Sequence, residues 1–173
     1  MTEVEFHTGV ADPVDFVYRL LRRACRQGSR VLVTAPGPVL MQIDRALWVL
    51  DEHDFLPHAA IAQFKLPNQR AAAALTPIWL AGSLQEMLDL ADAQLPMGAA
   101  SERPVAATVN PPSVVVNVGA SAPAAATMLA APLRWIEVVG LDADEAASGR
   151  ERWRAYKALG LAVVHHPRSG QGA

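Results

Sequence analysis

Cysteine occurs once in the 173 residues, at Cys25, and lysine twice, at Lys65 and Lys157. A single thiol excludes an internal disulfide framework and any structural zinc site built on several thiolates. No G-x-x-x-x-G-K-[ST] loop and no G-x-G-x-x-G turn occurs, so the two common backbone cradles for nucleotide phosphates are missing. Excess positive charge is missing too. The net charge is −2, without the basic field of a nucleic-acid-coating protein, so any anion must be recognised by a local patch. A long apolar run is also lacking: 104–133 carries no charge, but Pro111, Pro112, Pro123 and Pro132 interrupt it. That segment is expected to be a buried strand and a short Ala-rich helix, with no membrane span. The opening residues MTEVEFHTGVADP have neither the basic start nor the apolar segment of a signal peptide, and the expected location is cytoplasmic.

A hydrophobic fraction of 51% with 18% charged residues describes a chain that can bury a core. Strand and helix signals alternate along it. VEFHT (4–8) is a strand candidate; Asp12 is a helix cap followed by Pro13, and Gly28 closes that helix. RVLVTA (30–35) is an apolar strand, and a helix over about 38–51 carries Leu40, Ile43, Leu47 and Leu50 on one stripe. TPIWLAG (76–82), SVVVNVG (113–119) and RWIEVVG (134–140) are further strands, apolar enough to be covered on both faces. A short helix over about 124–131, a long one over about 142–159 and an edge strand LAVVHH (161–166) complete the pattern. It predicts a three-layer α/β/α domain over 1–167, Rossmann-like, with a mostly parallel sheet. Residues 83–112 read as an insertion containing one helix candidate and a Pro-rich loop, and 168–173 as a disordered tail.

A search for catalysis yields nothing. APGPVLMQID, after the second strand, places one glycine between two prolines. GASAP (119–123) resembles a nucleophile elbow, but its last position is proline. His165 and His166 are adjacent and point to opposite faces of a strand, and His53 and His58 flank a turn with no third ligand at suitable spacing. Asp142, Asp144 and Glu145 complement the dipole of the last helix. No catalytic residue, metal or cofactor is expected.

GRERWRAYKALG (149–160) carries the strongest signal. On a helical wheel Arg150, Trp153, Arg154 and Lys157 share an arc of about 100°, while Ala155, Tyr156 and Leu159 lie on the far side, suited to packing on the sheet. Arg152 falls among the packing residues and is expected to reach solvent along its aliphatic stem. Helix dipoles favour bases in a last turn, which explains the charge but not the indole. Trp48 sits similarly at the margin of its own helix's core stripe. Arginine clamps carboxylates with paired hydrogen bonds, and an indole can wall a pocket for a phenyl ring. An acidic peptide ending in Phe fits such a patch. The alternative is a small nucleotide-binding protein or enzyme using an atypical loop after the second strand.

Two segments, IDRALWVLDEHDFLPH (43–58) and RERWRAYKALG (150–160), resemble motifs of the chi subunit of bacterial DNA polymerase III, and the order of elements agrees over nearly the whole chain apart from 83–112. The resemblance implies a non-catalytic accessory subunit. Such a subunit links the clamp loader to single-stranded-DNA-binding protein by gripping that protein's acidic, Phe-terminated tail, and meets DNA only indirectly. It further implies that Arg150 holds the terminal carboxylate, that Trp153 and Trp48 line an apolar pocket, that Arg154 meets upstream acids and that Lys157 assists. Ala146 stands where the family can carry another cation. Phe55 is the candidate contact for a second, psi-like subunit.

Overall fold

A computed structural model describes residues 3–50, 55–64, 69, 72–73, 75–92, 112–124 and 134–168. The elements are β1 (Glu3–Val10), α1 (Pro13–Arg26), β2 (Val31–Thr34), α2 (Gly37–Val49), β3 (His58–Ala60), a 3-10 turn (Ile61–Phe64), β4 (Ile78–Ala81), α3 (Leu84–Asp92), β5 (Val114–Asn117), β6 (Arg134–Gly140), α4 (Ala143–Ala158) and β7 (Ala162–Pro167). Of the Ala-rich helix expected over about 124–131 only Ala124 is described, and of the tail expected to be disordered over 168–173 only Arg168, whose amide is held by the Thr8 carbonyl at 2.9 Å; the rest of both, and the loop over 93–111, lie outside the described residues.

Seven parallel strands form one sheet in the order β3-β4-β2-β5-β6-β1-β7. The central strands VLVT, IWLA and VVVN are buried at every position, because helices cover both faces. Alternate side chains divide between two cores. Val31, Val33, Ile78, Leu80, Val114 and Val116 meet α1 and α2 on the first face. Leu32, Trp79, Val115 and Trp135 meet the 3-10 turn, α3 and α4 on the second. The result is the three-layer α/β/α arrangement. One strand went unanticipated: β3 is only HAA, three residues with no β-branched side chain after Pro57.

Local chemistry sets the helix ends. The Asp12 carboxylate accepts the Asp15 amide at 3.0 Å, and Gly28, just past α1, adopts φ +71°. At α4 the Asp142 carboxylate accepts the amides of Asp144 at 2.9 Å and Glu145 at 3.3 Å. Glu145 reaches back to the Gly140 amide at 2.9 Å. These acids therefore stitch β6 to the helix that follows it.

Candidate functional site

The last helix is rotationally fixed by a buried acid. Glu137, in the middle of β6, is fully buried. Its Oε1 accepts from Tyr156 Oη at 2.5 Å, Asn117 Nδ2 at 2.8 Å and Trp135 Nε1 at 3.0 Å, and its Oε2 accepts from Arg152 Nε at 2.9 Å. Asn117 extends the network to Thr34 Oγ1 at 2.9 Å and to both backbone groups of Ala120. Burial first, then the charge of Glu137, pushes the Tyr156 phenol well above its ordinary value, so it remains a donor. Arg152 thus departs from expectation. It is buried, not solvated, because Glu137 supplies the countercharge that a core arginine needs. The sequence held a signal for this: a single acid inside an apolar strand and an arginine on the packing side of a helix.

With Arg152 and Tyr156 turned inward, the opposite face of α4 is presented outward. Arg150, Arg154 and Lys157 are exposed. Lys157 Nζ lies 5.8 Å from the centre of the Trp153 ring. Trp153 does more than face away from the core. It is half-buried, its edge packed on Phe6 at 4.9 Å between centroids and on His165 at 5.7 Å. Beside it opens a cleft of about 490 Å³ between α4 and the ends of β1, β6 and β7, with Gly149, Leu141, Thr8 and Arg150 among its walls. Two glycines shape it. At Gly149 a Cβ would meet Val139 at 2.9 Å, so only glycine lets α4 settle this close to β6. Gly9 adopts φ +69° at a register shift in β1, and a Cβ there would meet the Arg168 carbonyl oxygen at 2.7 Å. The walls are mainly apolar, and Arg150 contributes the cation, so the cleft suits a ligand with one apolar end and one carboxylate. Thr8 and His165, hydrogen-bonded at 2.7 Å, and Leu141 are cleft residues that the sequence did not assign to a binding site; they come from elements far apart in the chain.

The structure does not bring Trp48 to this group. Trp48 lies near the end of α2, on the first face, against Phe55 at 5.5 Å and the β3 residue His58 at 4.9 Å. α4 packs on β6, β1 and β7 from the second face, and β3 is four strands from β6, about 19 Å across the sheet. Trp48 and Phe55 are 59% and 64% exposed and together form an apolar surface of their own. The cleft over the carboxyl ends of the strands, where doubly wound sheets commonly hold ligands, is lined by Asp144, Glu145 and Pro36. Those acids oppose a phosphate, and the only arginine there among the described residues, Arg152, is already paired with Glu137. His7, which the sequence did not single out, and His166 stack at 4.9 Å across β1 and β7 and lie close to Glu5. Strand pairing creates that cluster, which spacing within the sequence cannot reveal.

A family model described as "DNA polymerase III chi subunit, HolC" matches residues 1–164. The chain belongs to the DNA polymerase III chi subunit family. A replication accessory role follows from that membership. Among curated proteins none matches the chain by sequence. Among solved structures, the crystal structure of the Pyrococcus furiosus Hef helicase domain superimposes with a TM-score of 0.52 at 16% identity, over 98% of this chain and 35% of the helicase chain. The chi-family chain thus spans about a third of that structure, and the likeness is one of fold. Among the described residues no helix of the chi-family chain is long and apolar enough to cross a membrane.

Proposed function

We propose that this chi-family chain is a non-catalytic, cytoplasmic connector that holds the acidic, Phe-terminated tail of single-stranded-DNA-binding protein in the cleft beside α4. The observation that carries this reading is Arg150 on the wall of an apolar cleft next to Trp153. The terminal carboxylate pairs with the Arg150 guanidinium, and the phenyl ring enters between Trp153, Gly149 and Leu141. Arg154 and Lys157, farther along the same exposed face, attract the acidic side chains that precede the ring. Ala146, a half-buried residue of the cleft wall, adds room in place of charge. Trp48 then falls to a different task. With Phe55 it offers the exposed aromatic surface for a clamp-loader-side subunit of the psi type, so the two partners occupy opposite faces and opposite margins of the sheet.

Titration calorimetry with a Phe-ended acidic peptide tests the assignment. Arg150→Ala should lower affinity by about 1.5–3 kcal/mol, the range for a charged hydrogen bond, and amidation of the peptide's terminal carboxylate should lower it similarly. Combining the two should add little further loss, because both remove one contact. Trp48→Ala should leave peptide affinity unchanged. Full affinity in Arg150→Ala, or a loss in Trp48→Ala comparable to that in Trp153→Ala, would overturn the arrangement.

A further inference from the structure

The arginines of α1 take no part in the cleft just described, yet α1 contains Arg19, Arg22, Arg23 and Arg26 within eight residues. On one ridge of the helix, Arg19 and Arg23 stand a turn apart and form one side of an open groove of about 420 Å³. The floor and far side are first-face residues of β1 and β6, Glu5, His7 and Arg134, and Arg168 closes one end. α1 packs on β6 and stops short of the edge strand, where Val164 and His166 remain exposed. The groove therefore lies on the same margin of the sheet as the α4 cleft, on the other face.

Its charge balance is positive. Arg19 pairs with Asp15 at 2.5 Å, and Arg134 engages both oxygens of Glu5, Nε–Oε1 at 2.6 Å and Nη2–Oε2 at 3.1 Å. Arg23 and Arg168 have no acidic partner among the described residues. With Glu3, whose charge also acts on Arg134, three carboxylates face these four cations, so one positive charge is left uncompensated in a chain whose net charge is −2. The groove also presents planar groups. His166, with a side chain 45% exposed, stacks on His7 at an interplanar angle of 16°, and the Arg168 guanidinium lies 4.4 Å from the centre of the Phe16 ring.

Two classes of ligand can be weighed. Ligating atoms of Glu5, His7 and His166 lie within 4.8 Å of one another, but both Glu5 oxygens are held by Arg134, and a metal ion would add charge to a groove already positive. An anion relieves that excess. Arginine forks spread along a groove, beside the exposed His166 ring, match the alternating phosphates and bases of a single strand. An acidic peptide without aromatic side chains would supply the charge but nothing for that ring to stack on. We propose that the groove between α1 and the β1–β7 margin binds the backbone of single-stranded nucleic acid, independently of the α4 cleft.

Fluorescence anisotropy with a labelled oligothymidylate of about fifteen nucleotides, titrated from 50 to 200 mM salt, tests this on the full chain. If two to four arginines each displace a phosphate counterion, the logarithmic salt slope is about −1.4 to −2.8, and affinity falls about seven- to fifty-fold over that range. Arg23→Ala with Arg168→Ala should reduce the slope by about 1.4, and Arg23→Lys with Arg168→Lys should retain it. Both positions are exposed, and circular dichroism melting checks that the variants fold. Arg150→Ala should bind the oligonucleotide normally while losing the tail peptide, which keeps the two sites' fates separable. The proposal is overturned by any of four results. These are absence of saturable binding at 50 mM salt, unchanged binding in the alanine double variant, loss of binding in Arg150→Ala, or equal displacement by an acidic peptide of matched charge. The last result would assign the groove to a protein partner.

Discussion

Removing Arg152 should unfold the protein more readily than removing any exposed cation on the same helix. In Arg152→Ala, Glu137 keeps the three donors on Oε1 and loses the single donor on Oε2. Both partners are nearly inaccessible to water, 0% and 6% exposed, so solvent cannot replace the missing guanidinium. Breaking a buried pair from one side costs about 3–5 kcal/mol. The remaining neutral donors place this case near the lower end, about 3 kcal/mol. For a chain of this length that corresponds to a fall in melting temperature of about 6–12 °C. Two further variants separate charge from packing. Arg152→Met keeps most of the stem and should recover less than half of the loss, because the carboxylate stays unpaired. Adding Glu137→Gln to Arg152→Met removes the charge while leaving an acceptor for Tyr156, Trp135 or Asn117, and should restore stability to within about 1–2 kcal/mol of the parent. The assay is thermal and urea unfolding followed by circular dichroism. The reasoning is refuted if Arg152→Ala melts within about 2 °C of the parent, or if methionine alone restores full stability.

Gly149→Ala introduces a Cβ against Val139 and should cost about 1–3 kcal/mol through overpacking; because the same residue walls the α4 cleft, calorimetry should show weaker tail binding even where the variant is fully folded. The pH dependence of the melting temperature should show two acid-side steps. Burial first, and then His166, hold the His7 pKa below its ordinary 6.5, so the unfolded chain takes up that proton first and stability is lost as pH falls through that region. The hydrogen bonds from Arg134 hold Glu5 below its ordinary 4.5, so its contribution is present above that value and disappears on further acidification. His7→Gln should flatten the first step and leave the second.

Much of this fold was legible because its strands are buried on both faces. VVVN and VLVT have no other plausible setting, and Asp12–Pro13 and Asp142 mark helix starts through chemistry that acts within a few residues. The candidate site was legible only where a single helix carries it. The wheel separated Arg150, Arg154 and Lys157 from Tyr156 without knowing the sheet. It put Arg152 on the packing side, yet could not name Glu137, because pairing a helix with a strand is a property of the layers. Trp48 failed for the same reason. A wheel shows that a tryptophan lies off its helix's stripe and says nothing about which face of the sheet that helix covers. His7 with His166 and Thr8 with His165 depend on β1 lying beside β7, an adjacency between the two ends of the chain.

That adjacency has a consequence for how the molecule comes into being. β1 pairs with β6 on one side and β7 on the other, so the first of these seven strands to be synthesised can find neighbours only after the last two. Parallel pairings over such separations close slowly, because the chain entropy of a long loop is lost before any contact repays it. While the rest of the sheet assembles around β2, the segment VEFHTGV must wait, apolar on alternate residues and open on both edges. A nascent chain held on the ribosome before β7 emerges should leave this segment sensitive to protease, and release should protect it. The margin that bears both proposed ligand sites is thus expected to be the last part of the sheet to close.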